Sequence, residues 1–226
     1  MIGQLILTPK GRGRAEEGGL YGLRILRAEA DRSGFWGEYR LRRAGKSLRL
    51  GGALQVLTPR GFDRWPLLRE LGLRPVDTEY FVRAQSVPLV LEALERRGLD
   101  PDRATVALRG LRADREMART AAELCPRVRR LVVDAPKGGQ ELAQWLRQEF
   151  GIPILPEGER GQVALGFQAG CPRREETFLE LYGQSPRLAG LTITAEGLSE
   201  EDRDDLPVLA ALWEGGKLDR KDIKIT

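Results

Sequence analysis

The chain has 226 residues, 41% apolar and 31% charged, with 37 Lys+Arg against 33 Asp+Glu. That is the make-up of a water-exposed globular protein of one large or two small domains. It contains no histidine, which removes Ser-His-Asp and Cys-His catalysis and every imidazole metal site. Cys125 and Cys171, the only cysteines, make no CxxC motif. They read as two buried thiols in a reducing compartment, with a single disulfide as the alternative.

In chain order, Gln4 to Thr8 reads as a short buried strand. GRGRAEEGGLYG (11–22) follows, and its glycine density predicts a tightly turning or flexible loop. It lacks the GK[ST] ending of a phosphate-binding loop. Gly45-Lys46-Ser47 spells that ending, but the required upstream glycine would fall on Arg40. Residues 35–50 predict a helix with Leu41, Ala44 and Leu48 on one face and Arg42, Lys46 and Arg49 on another. Residues 53–59 are a strand, 62–71 a short helix and 73–76 another strand. Ser86 is placed to cap a helix that Gly98 ends. ATVALRG (104–110) is a buried strand, and Asp114 caps the helix after it. RLVVDAP (130–136) is a strand. ELAQWLRQEFG (141–151) is a helix with Leu142, Trp145, Leu146 and Phe150 inward. Further strands are expected at 152–156, 162–168 and 188–195. Asp205-Leu206-Pro207 opens a last helix, and DIKIT closes the chain as a strand. Three segments (65–73, 87–99 and 206–218) share an apolar-Pro-apolar start and a Gly-Leu or Gly-x-Leu end, the ordinary punctuation of helices.

Strands alternating with helices of about a dozen residues mean βαβ units and a mostly parallel sheet. The expected fold is α/β: a small α/β lobe over 1–77, then a Rossmann-like, doubly wound lobe over 78–226 that includes the C-terminal helix. LVLEALERRGLDPDRATVALRG (89–110) and RRLVVDAPKGGQELAQWLRQEFGIPIL (129–155) resemble, at the level of fold, the shikimate dehydrogenase and amino-acid dehydrogenase-like superfamily. The resemblance implies a Rossmann lobe that holds NAD(P) and, in shikimate dehydrogenases, a Lys-Asp pair in the N-terminal lobe. Lys10 and Lys46 are the lysines of that lobe, and neither aligns with that pair. No catalytic residue is carried over.

The dinucleotide turn of such a lobe is a G-x-G-x-x-G between the first strand and its helix. Here it reads RGLRADREM (109–117). Gly110 is present, but the next two glycine positions are Arg112 and Arg115, whose side chains stand where backbone normally meets pyrophosphate. Asp134, 24 positions after Gly110, is placed like the acid that holds the ribose hydroxyl. Gly110, Arg112 and Asp134 are therefore the candidate cofactor residues. Arg109, Arg112 and Arg115 form a candidate anion site, or else pair with Asp114, Glu116 or other nearby acids.

Three functions follow. The first is a non-catalytic, cytoplasmic Rossmann-like protein acting through a protein partner or a small anionic ligand, with no cofactor. The second is an NAD(P)-dependent oxidoreductase with a degenerate glycine turn. The third is nucleic-acid or phosphate binding by the basic front, where Arg40, Arg42, Arg43, Lys46 and Arg49 lie near Phe35, Trp36 and Tyr39. No known nucleic-acid motif accompanies them. The acidic run Glu200 to Asp205 lacks calcium-loop spacing and reads as a charged helix entrance. Residues 1–75 hold 15 basic and 7 acidic groups, and residues 157–226 hold 9 and 14. Front and tail can attract each other within one chain or between two copies. The start, MIGQLILTPKGRGR, has the reverse order of a secretory signal. No stretch approaches the ~20 apolar residues of a membrane span.

Overall fold

A computed structural model describes residues 1–9 and 11–226; Lys10 lies outside them. The chain divides into two compact units, one of 1–78 with 195–223, the other of 79–194 with 224–226. The opening stretch of the first unit ends at Thr78. The C-terminal helix, however, belongs to the first unit and not to the Rossmann-like lobe.

The first unit contains β1 (Ile2–Leu7), β2 (Arg12–Leu20), β3 (Leu23–Ala30), α1 (Gly37–Leu50), β4 (Gln55–Leu57), α2 (Trp65–Glu70), β5 (Arg74–Pro75) and α7 (Leu206–Glu214). Its sheet runs β2-β3-β1-β4-β5. All pairings are parallel except the β2–β3 hairpin. Leu41, Ala44 and Leu48 of α1 pack with Leu5, Leu26, Ala28 and Val56 of the sheet.

The expected loop at 11–22 is thus mostly a strand. Few apolar residues mark it, because β2 is an edge strand. Two of its glycines serve close packing: a Cβ on Gly13 would stand 3.1 Å from the Arg40 carbonyl oxygen, and one on Gly11 2.5 Å from Ala30 backbone. Tyr21 and Gly22, both at positive φ, make the two-residue turn that suits the twist of a hairpin. The GKS string is also explained by packing. Gly45 faces Leu71 and Leu68 too closely for a side chain, and Ser47 Oγ accepts from Ala15 N at 2.8 Å.

The second unit contains α3 (Glu79–Ala84), α4 (Ser86–Arg96), β6 (Thr105–Arg109), α5 (Arg115–Leu124), β7 (Arg130–Asp134), α6 (Gly139–Phe150), β8 (Ile154–Leu155), β9 (Val163–Gly166) and β10 (Thr177–Glu180). Its sheet is wholly parallel in the order β10-β9-β6-β7-β8. The chain winds outward from β6 first one way and then the other, the strand order of dinucleotide-binding sheets. This is a Rossmann-like α/β fold. β6 and β9 are buried throughout and β7 from Leu131 onward, which explains their apolar runs.

Several details differ from the sequence reading. The fifth strand of this sheet is β10, whose sequence TFLE carries little apolar signal. The segment expected there instead ends in β11 (Ile193–Ala195), which pairs with β12 (Ile223–Ile225) as a separate two-stranded sheet. Ser86 is no cap: it is buried inside α4, and its hydroxyl meets that of Thr120 at 2.9 Å. Trp145 and Phe150 are not inward. They are exposed, edge to face, with ring centroids 5.6 Å apart. The three punctuated helices are α2, α4 and α7, with left-handed Gly72, Gly98 and Gly216 behind them. Cys125 and Cys171 are buried and free. Among the described residues no helix is long and apolar enough to cross a membrane.

Candidate functional site

In an open parallel sheet the ligand crevice lies at the carboxyl ends of the strands where the order reverses. Here that point falls between β6 and β9, at Arg109-Gly110 and Gly166-Phe167-Gln168. The two strand ends are joined by a Phe167 N to Arg109 O hydrogen bond of 2.9 Å, and Gly110 N donates to Asp134 O at 3.0 Å.

The glycine turn is filled from within. Gln168 Oε1 accepts from Leu111 N at 2.7 Å and from Arg112 N at 3.3 Å. Gln168 Nε2 donates to Asp114 Oδ2 at 2.9 Å. The other oxygen of Asp114 caps α5 by accepting from Met117 N at 2.9 Å. Leu111 and Arg112 carry the turn amides that would face a pyrophosphate, and a side-chain amide of the same unit already holds them. Gly110 is glycine because of this bridge: a Cβ there would stand 2.7 Å from Gln168 Oε1 and 2.6 Å from Met117 Cε. The turn is also tied to the loop after β7, with Ala113 N donating to Lys137 O at 2.7 Å.

Arg109 ends β6 and is fully buried. Its Nη1 donates to Asp134 Oδ2 at 2.5 Å, and its Nη2 donates to the Glu159 carbonyl at 2.5 Å and to Glu175 Oε1. The Glu175 side chain is itself 0% exposed. Asp134, the candidate ribose acid, thus has one oxygen engaged by an interior guanidinium. In the parallel register Arg109 lies opposite Asp134, so two neighbouring strand ends form the pair.

The candidate residues therefore separate into two groups. Arg109, Gly110 and Asp134 meet inside the sheet mouth. Arg112 and Arg115 are exposed, and neither makes an ion pair among the described residues. Arg109 pairs with Asp134, placed in the sequence as the ribose acid, and with Glu175, rather than with Asp114. Asp114 instead pairs with Arg83 at 3.8 Å. Glu175, Gln168 and Arg83 were absent from the sequence reading. Arg83 donates to the Phe167 and Leu181 carbonyls and so braces the loop that carries Gln168.

In the first unit, part of the acidic tail meets part of the basic front within one chain. Arg60 bonds Asp204, Asp205 and the Glu201 carbonyl. Tyr21 Oη donates to Asp202 at 2.7 Å. Asp205 also caps α7 through Val208 N at 3.2 Å, and burial pushes its carboxyl above the ordinary range. Among the described residues no group of acids and cysteines is arranged to hold a metal ion. Lys46 is exposed on α1.

No protein-family model matches the chain, and no curated protein matches it. Among solved structures, it is similar to L-tryptophan dehydrogenase from Nostoc punctiforme, with a TM-score of 0.33 and 12% identity. That likeness covers 73% of this chain and 55% of that one, so the chain spans little more than half the length of that enzyme.

Proposed function

We propose that this chain is a cytoplasmic Rossmann-like scaffold that does no dinucleotide chemistry and acts through a partner or a small anionic ligand. The Gln168 bridge carries the reading. It occupies the amides of Leu111 and Arg112, and Arg109 engages Asp134, so the groups a dinucleotide would need are already bonded. Freeing Asp134 would leave the buried Arg109 guanidinium short of a partner, at a cost of about 1–3 kcal/mol, while Gln168 competes with a ligand for the turn amides at the exposed mouth. A small anion has Arg112 and Arg115 within reach at the surface.

The test is a thermal-shift and calorimetric titration with NAD, NADH, NADP and NADPH. A ligand at 100 times its dissociation constant adds about 2.7 kcal/mol of stability. The expected result is no shift with any of the four. Saturable stabilisation by one of them, or NAD(P)-dependent turnover of a hydroxy or amino acid, overturns the reading and restores the oxidoreductase alternative. Gln168→Ala sharpens it: a variant that gains dinucleotide binding absent from the parent identifies the side-chain amide as the block.

A further inference from the structure

The segment before α1 and the first turn of that helix display three aromatic rings to solvent. Phe35 is 93% exposed, and Trp36 and Tyr39 are each 60% exposed. They stand edge to face, Phe35 to Trp36 at 5.5 Å and Trp36 to Tyr39 at 6.1 Å between centroids. Contiguous apolar surface of this kind marks an interaction site. The presenting turn is built, not loose. Asp31 Oδ1 accepts from Ser33 N at 2.8 Å and Ser33 Oγ at 2.5 Å, and Asp31 Oδ2 accepts from Arg40 at 2.6 Å. A Cβ on Gly37 would stand 2.2 Å from the Arg32 carbonyl oxygen, so glycine fixes the tight return into α1.

Trp36 and Tyr39 line a concave site of about 470 Å³ together with Arg12, Arg43, Arg40 and Asp31. This lies within the roughly 300–1,000 Å³ of small-ligand sites. Arg40 is paired with Asp31. Arg12 and Arg43 are exposed and make no ion pair among the described residues. The site therefore offers flat π surfaces, two uncompensated guanidinium groups and a carboxylate in its wall.

We propose that this concavity binds single-stranded nucleic acid, a base stacking on Trp36 and Tyr39 while the backbone phosphates meet Arg12 and Arg43. Single strands are held in this way, by aromatic platforms beside a cationic track. A lipid surface fits less well, because a hollow walled by a carboxylate cannot seat an acyl chain. An acidic peptide satisfies the arginines but brings no flat ring for the aromatics. The inference names the partner that the reading above leaves open. It rests only on first-unit residues, so dinucleotide binding at the other unit overturns that reading and leaves this one standing.

The experiment is fluorescence anisotropy of the full chain with fluorescein-labelled oligo(dT) and oligo(U) between about 50 and 200 mM salt. Saturable binding is expected, with affinity falling as salt rises. Trp36→Ala should weaken it roughly 5- to 150-fold, the worth of one stacked base. Arg12→Ala with Arg43→Ala should flatten the slope of log affinity against log salt by about 0.7 per lost phosphate contact. Trp145→Ala, which removes the exposed tryptophan of α6, should change neither quantity. No binding to either strand, or binding indifferent to Trp36, overturns the proposal. So does tighter Trp36-dependent binding to phosphatidylserine vesicles or to poly-glutamate than to either oligonucleotide.

Discussion

At the carboxyl end of β6, Arg109 is wholly buried between Asp134 and Glu175. Midway along α1, Arg43 stands exposed and lines one hollow with Trp36 and Tyr39. Both arginines sit at places where α/β proteins meet ligands, yet one completes an interior and the other faces water. The second unit has the strand order of a dinucleotide fold but bonds its own turn. The first has an ordinary-looking sheet and leaves aromatic rings exposed and, among the described residues, Arg12 and Arg43 without an ion pair. Strand order alone would direct attention to the second unit only, but fold does not carry function and the site does.

The sharpest way to break this contrast is to remove the interior arginine. Arg109→Leu leaves Glu175 and Asp134 buried without their cation. Removing one partner of a buried ion pair costs about 3–5 kcal/mol. We expect a loss of that size in urea unfolding. Arg109→Leu combined with Glu175→Gln should recover part of it, since the deepest uncompensated charge is gone. A loss below about 0.5 kcal/mol, the level of an ordinary surface substitution, would mean that Arg109 is not the interior tie described here.

The strands that bring Arg109 and Asp134 together were legible in the sequence, but the pair was not, since Asp134 there reads as the ribose acid. ATVALR and RLVVD read as neighbouring parallel strands, and each ends on a charge of opposite sign. An arginine closing a buried apolar run must find an anion. Glu175 was not legible: it comes from a loop 66 positions away, and no periodicity marks it. Gln168 was hidden for a different reason. Its role depends on Gly110 allowing a close approach, and a glycine in a degenerate motif reads equally well as a remnant. On the first unit, the α1 core face was plain from helical spacing. The glycine-rich edge strand β2 was not, because its pairing rests on backbone bonds and close packing under α1 rather than on apolar side chains. The exposure of Phe35 was also beyond the sequence, since an aromatic beside a helix start is as often core as surface.

A smaller effect tests the turn that presents the aromatics. The Ser33 hydroxyl and amide hold the Asp31 carboxyl below its ordinary 3.8, with Arg40 adding to the shift against the cost of burial. A carboxylate lowered in the folded chain contributes stability that is fully present above the unfolded value and is lost as pH falls through the folded one. Acidification below 3.8 should therefore destabilise the parent more than Asp31→Asn. Urea midpoints measured from neutral pH into that range give the comparison. Superimposable pH curves for the two proteins would remove Asp31 as the anchor of the turn.

The smallest effect expected is none, and it is informative for that reason. Cys125 and Cys171 both belong to the second unit. Burial pushes the Cys125 thiol up to about 11 and raises Cys171 as well, so neither presents much thiolate to a reagent at pH 8. Labelling should then wait on opening of that unit alone. Cys171 Sγ would lie 3.2 Å from a Cβ on Gly166, at the mouth where Arg109 is held. Arg109→Leu should accelerate labelling there, whereas Trp36→Ala should leave the rate unchanged. Equal acceleration by both substitutions would show that the two units open together, and the contrast between a closed site and an open one would then have to be drawn within a single cooperative body.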